Sequence, residues 1–238
     1  MRILLGSGGF RTEDRKAVYS QAMRDHFGDI DRVLFIPWAL HDHDGYIDLM
    51  NEKGLNGGYA LEGIHAAGDP VAAIENCRGI YIGGGNTFRL TDELHRHGVL
   101  EVIRSRVLDG LPYMGVSAGT NVACPTMQTT NDMPITMPPS FETLGLVPFQ
   151  VNAHYFHGQV HIESGEELIE HFGETRDDRI REFHEMNDTP VAGLREGGFL
   201  KIDNGEIELL AAQMRIFRKG EEPLDVDPGG DCSILMET

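Results

Sequence analysis

The sequence predicts an α/β fold, a doubly wound and mostly parallel sheet with helices on both faces, and three observations carry that expectation. Short apolar runs recur through the first half of the chain, helix-length segments separate them, and glycine or proline bounds most of them. Parallel neighbours need a long return connection, and a helix supplies it while covering one face of the sheet.

The strand-like runs cover residues 3–5, 33–37, 60–64, 80–82 and 113–116. Helices are expected over residues 13–27, 70–77, 87–97, stopped by Gly98, and 99–109, stopped by Gly110. His41 and His43 fall in an expected loop. The second half opens with the proline-rich PITMPPSF loop, followed by a strand at 149–153 and a helix at 174–186. From 191 to 217 the pattern is strand, turn, strand, with Asp203-Asn204-Gly205 as the hairpin signal. The tail from about residue 220 is acidic and rich in turn residues, so loose packing is expected there. No repeat or linker divides the chain, and residues 1–238 are read as one α/β domain.

A chain of 238 residues with 40% hydrophobic composition can bury a full core. The 38 acidic side chains against 20 Lys and Arg give a net charge of −18, which repels a polyanion on average, so nucleic acid is not an expected partner. The N-terminal MRILLGSGG is too short an apolar run for a signal peptide, and no stretch approaches the roughly 20 apolar residues that cross a bilayer. A cytoplasmic location without membrane contact is expected. Cys77, Cys124 and Cys232 are widely spaced, without a CxxC pair, and imply neither a disulfide framework nor a cysteine zinc site.

The chemistry concentrates in glycine-rich strand ends. Gly115-Val116-Ser117-Ala118-Gly119 follows a buried strand and precedes a helix expected to start near Ala118. A sharp turn of this type strains its middle residue, needs small neighbours, and lifts the serine oxygen above the sheet edge. The following helix N-terminus would add its positive dipole end where an oxyanion forms. A tight turn with a capping serine is the plainer reading of the same five residues. Gly83-Gly84-Gly85-Asn86-Thr87 closes another strand. A glycine N–H there could supply a second oxyanion donor beside the N–H of Ala118. It matches neither phosphate-loop pattern, so nucleotide binding is the weaker inference.

A serine nucleophile needs a base. His154 follows the strand at 149–153 and would share the sheet edge, whereas His95 and His97 lie at a helix end; His41 and His43 stay open. His154, His157 and His161 also form an HxxHxxxH cluster. Gly158 interrupts its helical presentation and no HExxH motif accompanies it, so no metal is expected.

GVSAGTN, VNAHY and GLREGG, together with DPVAAIEN, GGGNTF, ACPTMQTTNDMPI and GETRDDRIRE, resemble in the same order the blocks of the peptidase E family, serine dipeptidases that remove N-terminal aspartate from Asp-X dipeptides. The resemblance spans about residues 69–198. It implies a fold similar to class I glutamine amidotransferases, with no cofactor and small acidic dipeptides as substrates. It makes Ser117 the nucleophile, His154 the base and Glu196 the orienting acid, with the N–H groups of Gly85 and Ala118 as oxyanion donors. The order Ser, His, Glu differs from the Ser, acid, His order of α/β-hydrolases.

Asp132 of the TTNDMP block competes for the acid role, or anchors the substrate's amino group. Arg176 is the family-matched cation for a side-chain carboxylate, since its planar fork suits bidentate contact. Asn86 joins the substrate-binding set. Arg179, one turn on, either assists or only pairs with Glu182 or Asp178. The rival readings are a cyanophycinase-like aspartyl peptidase and a non-catalytic small-molecule binder on the same fold. A homodimer is compatible with the sequence and is not specified by it.

Overall fold

The apolar runs of the first half pair side by side in the computed structural model, which describes residues 1–165 and 167–237. The strands are β1 (Arg2–Gly6), β2 (Arg32–Ile36), β3 (Ala60–Gly63), β4 (Ile80–Ile82), β5 (Tyr113–Val116), β6 (Gln150–Tyr155), β7 (His161–Ser164), β8 (Glu167–Glu170), β9 (Val191–Arg195), β10 (Phe199–Asp203), β11 (Glu206–Leu210), β12 (Met214–Phe217) and β13 (Leu224–Val226). The helices are α1 (Glu13–Phe27), α2 (His43–Glu52), α3 (Pro70–Asn76), α4 (Thr87–Arg96), α5 (Leu100–Leu108), α6 (Ala118–Asn121) and α7 (Arg176–Met186).

A seven-stranded sheet runs in the order β11-β10-β1-β5-β4-β2-β3. Its members β1, β5, β4, β2 and β3 are parallel, and β10 and β11 close one side antiparallel. Helices cover both faces, as the alternating pattern requires. One face packs Tyr19, Met23 and Phe27 of α1 and Met50 of α2 against Leu4, Phe35, Tyr81 and Met114. The other buries Ile74 of α3, Leu90 and Leu94 of α4, and Ile103 and Val107 of α5. The same core continues into Val151, Ala192, Leu194 and Ile216 of a second sheet, ordered β13-β12-β9-β6.

Local chemistry sets the helix ends. Thr12 caps α1 by accepting from the Arg15 N–H, and Gly28 closes it at φ 67, a conformation that suits glycine. Thr175 and Asp178 form a capping box that fixes the start of α7, the turn carrying Arg176. Among the described residues, no helix is long and apolar enough to cross a membrane.

Four expectations change. The segment 191–217 holds four strands rather than one hairpin, and its chain crosses from the second sheet (β9) to the first (β10, β11) and back (β12). Period-two alternation marks a strand but not the sheet it joins. Asn204 and Gly205 do form a two-residue turn, with φ of 50 and 89, between β10 and β11. His43 opens α2 instead of lying in a loop, because Asp42 caps it through the Gly45 N–H. The loop after His154 contains the β7–β8 hairpin. The tail is also held: β13 pairs with β12, and Val226, Cys232 and Leu235 are buried in the core. Its apolar residues are sparse, but backbone pairing to β12 brings them to the core in spite of the polar residues between them.

Leu235 is 0% exposed. Leu235→Ala should therefore lower stability by about 2–5 kcal/mol in denaturant unfolding, the usual cost of a cavity at a buried leucine. An unchanged midpoint and slope would mean that the tail does not contribute to the core in solution.

Candidate active site

The site lies where the carboxyl ends of β4 and β5 meet the end of β6. β5 runs into Ser117, which sits at φ 55 and ψ −111, a conformation that costs a non-glycine residue about 1–3 kcal/mol. Both flanking glycines are needed by contact. A Cβ at Gly115 would meet the Gly119 carbonyl oxygen at 2.3 Å, and one at Gly119 would meet the Ile82 carbonyl oxygen at 2.0 Å. The turn is held by the Ser117 N–H to the Gly6 carbonyl at 2.9 Å and by Thr120 Oγ1, which donates to the same carbonyl at 2.7 Å. The helix after it, α6, is a single turn. Its macrodipole is therefore small, so an anion held at this turn would depend on individual N–H groups rather than on a helix dipole.

β6 carries the candidate base, His154. His154 was expected on the same sheet edge as Ser117, but β6 is an edge strand of the second sheet, pairing in parallel with β9. The two sheets converge so that Ser117 Oγ lies 2.8 Å from His154 Nε2. His154 Nδ1 lies 2.7 Å from Glu196 Oε1, just beyond the end of β9. His154 also has positive φ, 56, at a register irregularity between Ala153 and Tyr155. The bulge turns its ring off the regular alternation of β6 and toward Ser117. The hydrogen bond from the imidazole holds the Glu196 carboxyl below the usual range, against burial, which raises it; the nearby His154, Arg15 and Arg11 charges reinforce the lowering.

Three glycines outside the Gly-x-Ser-x-Gly turn make room for this chain. A Cβ at Gly84 would stand 3.0 Å from the Ser117 Cβ, one at Gly8 would stand 2.8 Å from His154 Cε1, and one at Gly9 would overlap Glu196 Oε2 at 1.7 Å. Gly8 and Gly9, in the turn after β1, escaped the sequence analysis. The signal was present, since GSGG ends an apolar strand on the same carboxyl edge as the two glycine loops. Gly85 lies in the loop after β4, and Ala118 opens α6 after the adjacent strand β5. Among the described residues, neither of their N–H groups donates to a backbone acceptor outside regular secondary structure.

Asp132 is not near the imidazole in hydrogen-bonding terms. Its Oδ2 accepts from the Thr87 N–H and Thr87 Oγ1, both at 2.7 Å, and from Thr130 Oγ1 at 3.1 Å. It thus works with Asn86, the N-cap of α4, whose amide also donates to the Met133 carbonyl at 2.9 Å. Asp132 and Arg179 line a cavity of about 460 Å³ with Phe88, Met127, Phe141 and Phe183. Arg179 pairs with Glu174 at 3.6 Å, not with Glu182 or Asp178; the latter is taken by the capping box and by Arg181 at 2.7 Å.

Arg176 is tied to the base's strand by a residue that sequence reasoning missed. Its Nη1 donates to Asn131 Oδ1, and Asn131 Nδ2 donates to the carbonyl of Ala153, the neighbour of His154, at 2.8 Å. Its guanidinium also lies over the Phe156 ring, 5.4 Å from the centroid. Both partners are neutral. Burial lowers its pKa, and the Arg179 charge lowers it further.

The histidine trio is dispersed. His157 lies 3.2 Å from Asp177 and beside Arg215, and His161 opens the exposed β7 strand. Among the described residues, no three His, Cys, Asp or Glu side chains are grouped to hold a metal.

The model of "Peptidase family S51" matches residues 2–210. The chain is 46% identical over 208 residues to "Peptidase E" of Streptomyces coelicolor, covering 87% of this chain and 82% of that one. It is 40% identical over 211 residues to "Probable alpha-aspartyl dipeptidase" of Drosophila melanogaster, covering 88% and 85%. Among solved structures, a putative peptidase E of Listeria monocytogenes superposes with a TM-score of 0.63 at 21% identity, covering 89% of this chain and 98% of that one. A peptidase from an acI-B1 Actinobacterium reaches 0.65 at 17% identity, covering 96% and 94%; both show the shared fold. The chain belongs to peptidase family S51.

Proposed function

We propose that this protein is a serine dipeptidase that hydrolyses the peptide bond after an N-terminal aspartate, through an acyl-enzyme on Ser117. The observation that carries this reading is the continuous hydrogen-bonded chain from Ser117 Oγ through His154 to Glu196, at 2.8 and 2.7 Å. The sequence relatives named peptidase E and alpha-aspartyl dipeptidase support the substrate class.

In this mechanism His154 Nε2 takes the Ser117 proton as Oγ attacks the carbonyl carbon of the aspartyl residue. Glu196 fixes the imidazole's tautomer and stabilises the imidazolium that forms. The N–H groups of Gly85 and Ala118 donate to the oxyanion. His154 then protonates the departing amine, and water, activated by the same imidazole, releases aspartate.

Arg176 reads the aspartate carboxylate, with Asn131 holding its fork in place and Arg179 adding positive potential from one turn along α7. Asp132 and Asn86, at the start of α4, face the substrate's other polar groups, with the Asp132 carboxylate as counter-charge for the free amino group.

Ser117→Ala and His154→Ala should each lower kcat for Asp-Leu by roughly 10⁴-fold or more while the protein stays folded by circular dichroism. Glu196→Gln should lower kcat with KM nearly unchanged. If Asp132→Asn is the damaging change and Glu196→Gln is harmless, Asp132 holds the acid role.

Arg176→Met should lower kcat/KM for Asp-Leu by roughly 100-fold or more and shrink the preference over Asn-Leu, because the substrate carboxylate would be desolvated without a partner. Arg176→Lys should recover only part of the loss, since it keeps the charge and not the fork. A parental Asp-Leu to Asn-Leu ratio in Arg176→Met would transfer specificity to another group.

A further inference from the structure

The carboxyl end of β1 touches the supports of all three reactive side chains. Gly6 accepts the Ser117 N–H through its carbonyl, as described above. Gly8 accepts the Gly197 N–H at 2.8 Å, and the Ser7 N–H donates to the Gly198 carbonyl at 3.0 Å, which fixes the glycine pair that follows Glu196. Between them, the Ser7 side chain is 0% exposed and joins the base to the acid's strand. Its hydroxyl accepts the His154 N–H at 2.8 Å and donates to the Leu194 carbonyl at 2.9 Å.

That N–H has few alternatives. It belongs to the residue where the β6–β9 register shifts, so the regular ladder passes it by, and its φ of 56 lies outside the strand range. The His154 side chain is 41% exposed, so packing alone does not hold the ring. What orients it is the direction of its Cα–Cβ bond, set by the unusual backbone, together with the Glu196 and Ser117 contacts. An unmet buried N–H would favour relaxation of His154 to ordinary extended backbone, which swings the ring away from Ser117.

From this geometry we infer that Ser7 is a positioning residue for catalysis, whose hydroxyl holds the His154 backbone in its left-handed conformation so that the imidazole bridges Ser117 and Glu196. The inference rests on reading those three residues as the triad. It assigns Ser7 no contact with substrate, and Ser7 acts only through His154.

The test compares Ser7→Ala, Ser7→Thr and Ser7→Val with Ser117→Ala, in the full chain at 25 °C. Threonine and valine have the same shape, so their difference isolates the hydroxyl from any cost of the added methyl group. Measured quantities are kcat and KM for Asp-Leu, the rate at which a fluorophosphonate labels Ser117, and the midpoint of thermal unfolding. Ser7→Ala is expected to lower kcat and the labelling rate by roughly 10- to 100-fold, with KM within about twofold of the parent. Ser7→Thr should exceed Ser7→Val by at least about tenfold in both rates.

A purely structural serine would lower the unfolding midpoint and leave kcat and labelling at 25 °C unchanged, and that outcome overturns the inference. So does equality of the threonine and valine variants. If Ser117→Ala keeps its activity and is still labelled, the triad reading itself has failed; if it loses both while Ser7→Ala keeps both, only the role of Ser7 has.

Discussion

Two residues of the reactive chain, Ser117 and His154, are held in left-handed backbone at φ 55 and 56, and most of the surrounding architecture works to keep them there. Such conformations persist only where the neighbourhood over-determines them. At Ser117 the determinants are the Gly6 carbonyl, the Thr120 hydroxyl and two glycines whose hydrogens touch backbone. At His154 they are a register break, the Ser7 hydroxyl and the close floor of Gly8. Because Gly6, Ser7 and Gly8 are consecutive, one short stretch at the end of β1 contacts the backbone of both Ser117, after the first sheet's β5, and His154, in the second sheet. Such a shared anchor supports the 2.8 Å separation of side chains that come from separate sheets.

The same turn explains why the glycines of this protein cluster as they do. GSGG after β1, GGG after β4 and the glycines flanking Ser117 all lie on one sheet edge, and each leaves space that a reactive or neighbouring atom fills. At Gly9 the overlap would be with Glu196 Oε2, an atom that is buried without a hydrogen-bond partner among the described residues. Burial of that oxygen works to raise the carboxyl's pKa, and the hydrogen bond with the His154 imidazole outweighs it, so the group stays below its usual range.

Local sequence made much of this legible. The strands at residues 80–82 and 113–116 and the helix Glu13–Phe27 fall where they are expected, the strands because they are buried throughout and the helix because Thr12 and Gly28 mark its ends. Ser117, His154 and Glu196 come together as the family resemblance implied. What local pattern could not supply was the assignment of strands to sheets. β6 and β9 read as ordinary buried strands, and only the packing of the whole chain puts them in a second sheet that leans onto the first. α2 was missed because Gly45 sits in its first turn, although Asp42 is a good cap. Ser7 and Asn131 were missed for another reason: each acts by bonding to backbone 147 and 22 residues away, and a serine or an asparagine in a loop carries no mark of such a partner.

Charge raises the remaining question, since a protein of net charge −18 would repel the acidic dipeptide proposed as its substrate. The resolution lies in how the arginines are spent. Arg215 is committed to Asp177 at 3.1 Å and Asp225 at 2.5 Å, and Arg181 to Asp178 at 2.7 Å, so these cations are neutralised within the fold. Arg176 is bound instead by an amide oxygen and an aromatic face, which fix its direction, and among the described residues no carboxylate pairs with it. Half-burial strengthens the field it presents to a nearby carboxylate, because less water screens it. Burial is the first cause of the lowering of its pKa and the Arg179 charge the second, so this cation sits where water screens it less. On the proposed reading, selectivity for aspartate over asparagine follows from an Arg176 charge that no carboxylate of the described residues offsets, and an aspartyl side chain would bring the missing partner.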